Sequence, residues 1–109
     1  LAEKFETVVS RGTANTRGRD FYDIYALLNA HEHTIDFDQV RSALDATLAK
    51  RGSAETVAKY ASVLEKVRSS PQMLSVWDSY AKATPYAENI PFDTVIEASL
   101  ELGRRIFNR

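Results

Sequence analysis

The chain has 109 residues, with fourteen Lys plus Arg against fifteen Asp plus Glu and no cysteine. That length supports a single domain with one modest core. Zero Cys excludes a disulfide framework and any thiolate zinc site, and a net charge of −1 excludes a general attraction to phosphate backbones, leaving only local basic patches for nucleic acid.

With 44% hydrophobic residues, 27% charged residues, and only four Gly and three Pro, the composition is that of a folding chain with few helix breakers, and an all-α bundle is expected. No apolar run approaches the roughly 18 residues of a membrane span, and no basic flank with an apolar signal core opens the chain. A cytoplasmic protein without membrane contact is therefore expected. The chain begins at Leu1 inside a helical pattern and without Met, which reads as a piece of a longer protein.

Taken in order, Leu1, Phe5, Val8 and Val9 mark one face of a first helix that runs out at Arg11-Gly12, with Thr13 to Gly18 as a loop. From Arg19, a second helix carries Phe21, Ile24, Tyr25 and Leu28, with Asp20 and Asp23 near its start, where the helix dipole favours anions. It ends around His31 to Thr34. Asp36 as N-cap, Gln39 three residues on, and the Ile35/Val40 staple open a third helix; Val40, Leu44 and Leu48 are its stripe, and Lys50, Arg51 and Gly52 close it.

Ser53 is positioned to cap a fourth helix with the stripe Val57, Tyr60, Ala61, Leu64 and Val67, ending at Ser69-Ser70. Pro71 restarts the chain, and Leu74, Trp77 and Ala81 give a fifth helix its apolar face. After an irregular stretch from Thr84 to Pro91, Phe92, Val95, Ile96, Leu100, Gly103, Ile106 and Phe107 show the strongest period, so the last helix is expected at the centre of the bundle. The sum is a bundle of about six helices.

Several side chains invite chemistry. Lys4 and Arg11 fall about 20° apart on the helical wheel, beside the apolar stripe, so both point into one groove. They suit phosphate oxygens or snorkel at the core's edge. Asp20 lies between Ile24 and Leu27, on the buried side of its helix; it either caps that helix or acts as a base near Arg17 and Arg19. His31-Glu32-His33 lacks a third convergent ligand and reads as a solvated helix end rather than a metal site. Tyr22, Tyr25, Trp77 and Tyr86 suit base stacking or, more commonly, the core. Arg104, Arg105 and Arg109 compensate a helix C-terminus.

The run Leu1-Ala2-Glu3-Lys4-Phe5, then Ser10-Arg11, then Ala14-Asn15-Thr16-Arg17-Gly18-Arg19-Asp20-Phe21-Tyr22-Asp23 resembles the third and fourth motifs of the AbiEii-type nucleotidyltransferase family, the toxins of abortive-infection, type IV toxin-antitoxin systems. The resemblance implies a nucleotidyltransferase that moves a nucleoside monophosphate from a nucleoside triphosphate to an acceptor such as tRNA. It assigns Lys4 and Asp20 as catalytic, with Asp23 in support and a cognate antitoxin as partner; Arg11, Arg17 and Arg19 are expected as auxiliary phosphate contacts on charge and proximity alone. Arg19 stands where Lys is more usual.

The resemblance also implies a Gly-Ser turn followed by an Asp-x-Asp pair that binds magnesium, and this arrangement is missing here. Asp36-Phe37-Asp38 and Gly52-Ser53 occur in reversed order, and capping accounts for both. Residues 1–109 are thus expected to be one C-terminal helical domain, with the catalytic domain and its Mg2+ upstream and absent. The piece alone is expected to hold no metal, to be inactive, and to self-associate through an uncovered face around Phe5, Phe21 and Tyr25. The rival reading is a non-catalytic helical module that docks an antitoxin or nucleic acid through Arg11 to Arg19.

Overall fold

The computed structural model describes residues 1–107, and every regular element among them is helical. In chain order these are α1 (Ala2–Arg11), a 3-10 turn at Gly12–Ala14, α2 (Gly18–His31), α3 (Phe37–Arg51), α4 (Ala54–Ala58), α5 (Tyr60–Arg68), α6 (Pro71–Ala83), a second 3-10 turn at Pro85–Ala87, and α7 (Phe92–Phe107). Arg109 lies outside the described residues.

The all-α expectation holds, but the helices number seven among the described residues, because the expected fourth helix is two. At Lys59 the backbone N–H turns back to Thr56 O at 3.1 Å, a tighter bond than the α-helical one. The bend lets α4 lie on α1 and α3 while α5 lies on α7.

Local signals set most boundaries. Asp36 Oδ1 accepts from the backbone N–H of Asp38 at 3.0 Å and of Gln39 at 3.2 Å, capping α3 as expected. Gly52, at φ +66°, ends α3 in the left-handed conformation that a glycine adopts without a Cβ penalty. Ser53, by contrast, makes no side-chain cap. Ser70 caps α6 instead, its Oγ accepting from Met73 N at 3.2 Å with Pro71 in the first turn.

That cap fixes the phase of α6 and corrects its expected stripe. Met73, Trp77 and Ala81, four residues apart, are the buried face, while Leu74 is 45% exposed. Trp77 spans the core and donates from Nε1 to Ile90 O at 2.9 Å. Ala61, also expected inside, is exposed, since Tyr60, Leu64 and Val67 fill the inner face of α5.

The last helix is central, as its period implied: α7 packs on α1, α2, α3, α5 and α6. Its Phe92 ring meets Phe21 edge-on at 5.9 Å, and Tyr60 meets Phe5 at 5.7 Å. These contacts overturn the uncovered face expected around Phe5 and Phe21. Both rings are fully buried by α5 and α7, and Tyr25 is partly covered.

Candidate active site

The site forms where α1 passes the start of α2. Upstream of α2, buried Asn15 turns its Oδ1 to accept from Arg17 N at 2.9 Å, a side-chain turn that fixes the backbone from which Arg17 projects. Gly18 follows as the first residue of α2. A Cβ there would stand 2.6 Å from Tyr80 Cβ on α6, so only glycine lets the two helices approach this closely. The approach seats Asp20 against α1.

Lys4 is the hub. Its Nζ lies 2.7 Å from Asp23 Oδ2 and 3.7 Å from Asp20 Oδ1. Arg17 comes within 3.8 Å of Asp20, and Arg19 within 3.6 Å of Asp23 one helical turn back. The two carboxylates differ in setting. Asp23 is hydrogen bonded and partly exposed, whereas the Asp20 side chain is 3% exposed and its Oδ2 has no partner. A buried acceptor left unmet costs about 1–3 kcal/mol.

Asp20 does not cap α2. Arg17 holds the N-cap position without a side-chain bond, and Asp20 sits in the first turn with its carboxylate aimed at α1. Lys4, Arg11, Arg17 and Asp20 line one cleft of about 180 Å³ together with Glu3 and Thr7. The shared groove expected for Lys4 and Arg11 is therefore present. Arg19 lies outside it, in a neighbouring cleft.

The carboxylates do not fit a magnesium ion. Three cationic side chains lie within 4 Å of Asp20 and Asp23 and would repel it, and the described residues hold no group of three His, Cys, Asp or Glu arranged for a metal.

Beside the ionic cluster lies an aromatic one. Tyr22 meets Tyr86 at 4.8 Å and Tyr80 at 6.3 Å, and the Tyr80 and Tyr86 hydroxyls are 3.3 Å apart. Burial, then the hydrogen bond and charge of Tyr86 and the charge of Asp23, push the Tyr80 phenol up to about 12, against a smaller opposing effect of Thr84. Trp77 is core, but Tyr86 is 61% exposed, which corrects the core reading for that residue.

Two features escaped the sequence. Glu6, 3% exposed, faces Arg51 on α3 at 2.5 Å and accepts from Ser10 Oγ at 2.7 Å. The polar side chains Gln72, Ser75 and Ser79 line a further cleft against α2; their three- and four-residue spacing was the available signal.

The model of the family described as "Nucleotidyl transferase AbiEii toxin, Type IV TA system" matches residues 1–98. The chain belongs to this family. The match takes in α1 to α6 and the first part of α7, and so contains the whole Lys4–Asp20 cluster. An AbiEii chain sits in a type IV toxin-antitoxin context, with an antitoxin as its counterpart. No curated protein and no solved structure matches the chain. Among the described residues no helix is long and apolar enough to cross a membrane.

Proposed function

We propose that this chain forms one wall of a nucleotidyltransferase active site and that Lys4 and Asp20 are its working residues. The reaction moves a nucleoside monophosphate from a nucleoside triphosphate to an acceptor hydroxyl on RNA, tRNA being the acceptor class that the family suggests. The observation that carries this reading is the Lys4–Asp20 pair: an ammonium 3.7 Å from a buried carboxylate whose second oxygen lacks a partner, at the base of a cleft edged by Arg11 and Arg17.

Lys4 contacts the phosphates and offsets the negative charge that builds at the reacting phosphorus. Asp20 accepts the hydrogen bond of the acceptor hydroxyl, orienting it and taking its proton as the new phosphate ester bond forms and pyrophosphate leaves. Asp23 holds the Lys4 ammonium in place, and Arg11, Arg17 and Arg19 supply further phosphate contacts. Binding of Mg2+ is assigned in this reading to carboxylates of a separate catalytic domain, because the cations around Asp20 and Asp23 disfavour the ion there.

The experiment measures transfer of α-labelled nucleotide to bulk tRNA by the full-length protein and by residues 1–109 alone. Labelling by the first and none by the second is expected. Labelling by neither contradicts the transferase reading on tRNA and favours a non-catalytic module, whereas labelling by residues 1–109 alone contradicts the assignment of metal binding to another domain.

A further inference from the structure

We propose that the cleft between the start of α2 and α6 is the surface that holds a single-stranded RNA acceptor as its end enters the Lys4–Asp20 cleft. The proposal rests on the transferase reading above and adds where the acceptor lies. The cleft measures about 650 Å³, with Arg17 and Arg19 on the α2 side, Gln72, Ser75 and Ser79 along α6, and Tyr80 closing it.

Three observations converge on this occupant. Size is the first. Ligand clefts run from about 300 to 1,000 Å³; the Lys4–Asp20 cleft on this wall measures about 180 Å³, so an RNA strand whose end reaches it extends along the neighbouring surface. At about 650 Å³, the α2–α6 cleft has room for a nucleotide unit.

Charge is the second. The lining of this cleft includes two arginines and no carboxylate, although the chain as a whole carries a net charge of −1. The Lys4–Asp20 cleft contains Glu3 and Asp20, and the cleft at the far end of α6 contains Asp78 and Glu88. Arg17 and Arg19, 55% and 68% exposed, stand 3.8 and 3.6 Å from their carboxylates, so most of their N–H donors remain open to phosphate oxygens.

Continuity is the third. Arg17 lines both clefts, and Asn15 fixes its backbone. A phosphodiester held at Arg17 therefore has its neighbouring ribose beside Asp20. The hydroxyls of Ser75 and Ser79 and the amide of Gln72 match the 2′-hydroxyls and base edges of an unpaired strand. Carboxylates of an acidic protein would pair with the same arginines, and the polyglutamate arm of the test separates that occupant from RNA.

The test is fluorescence anisotropy of a short, labelled single-stranded RNA titrated with the protein and with Ser79→Glu, Gln72→Glu and Ser79→Lys. Both positions are exposed, and circular dichroism checks that each variant folds. The glutamates are expected to weaken RNA binding about tenfold and the lysine to strengthen it, with the salt slope falling by about 0.7 for each phosphate no longer neutralised. No RNA binding by the parent protein, or equal affinity across all variants, overturns the proposal. So does unchanged RNA binding with altered binding of polyglutamate, which would assign the cleft to an acidic protein. Binding is read without catalysis: if Asp20→Ala leaves transfer intact while the Ser79 variants shift RNA affinity in opposite directions, the catalytic assignment fails and the RNA surface stands.

Discussion

Lys4 and Asp23, nineteen positions apart on two different helices, are joined by a 2.7 Å hydrogen bond between Nζ and Oδ2. That bond turns a flexible side chain into a fixed charge beside Asp20. Asp23→Asn keeps the shape and removes the charge. Because both partners are partly exposed, unfolding stability is expected to change by less than about 1 kcal/mol. Transfer activity is expected to fall about tenfold or more, equivalent to roughly 1.4 kcal/mol of lost transition-state stabilisation. Chemical denaturation and the labelled-nucleotide assay, run together, check the split; equal losses in both would make the pair purely structural.

Gly18 sets the distance between α2 and α6. In Gly18→Ala the new Cβ meets Tyr80 Cβ, an atom too close to its own backbone to swing aside. Overpacking of this kind costs about 1–3 kcal/mol, and relief by a shift of α2 carries Asp20 away from Lys4. A lowered melting temperature together with reduced transfer is expected; an unchanged melting temperature would show that the helices have room to spare.

Burial raises the Glu6 carboxyl, but hydrogen bonds from Ser10 and Arg51 and the Arg51 charge outweigh that and hold it below the ordinary 4.5. A carboxyl whose folded value is depressed stabilises the fold above its unfolded value and loses that stabilisation as pH falls through the folded one. The urea midpoint is therefore expected to drop below about pH 4.5 partly through Glu6, and Glu6→Gln should flatten that part of the curve. Arg51→Ala leaves the buried carboxylate without its cation. A loss of about 2 kcal/mol is expected at neutral pH, less than for a fully buried pair because Arg51 is 42% exposed.

The register of α6 gives a pair of opposite outcomes. Met73→Ala, at a fully buried position, is expected to cost about 2–5 kcal/mol. Leu74→Gln, at 45% exposure, is expected to stay within about 0.5 kcal/mol. Thermal or denaturant unfolding of the two variants checks it; the reverse ranking would restore Leu74 to the core.

What the sequence made legible was local. The Asp36 cap, the Gly52 terminator and the apolar period of α7 each act within a turn or along one helix, and each is found where the residues placed it. Lys4 and Asp20 were marked by the same logic, one beside an apolar stripe and the other on a buried face, and by runs that resemble motifs of the AbiEii family, whose model matches residues 1–98. The rest depends on separate helices. Glu6 meets Arg51 across 45 positions, and Gln72, Ser75 and Ser79 form a cleft only because Gly18 brings α2 against Tyr80. The break at Lys59 has no Gly or Pro to announce it; it follows from where α4 and α5 find surfaces to pack on.

The most direct test of the central claim is the rate of α-labelled nucleotide transfer to RNA by the full-length protein and by its Asp20→Asn form, with folding verified for both. Asparagine fills the same space but does not take a proton, so the rate is expected to fall about 100-fold or more. A rate equal to that of the parent protein would contradict Asp20 as the group that handles the acceptor hydroxyl.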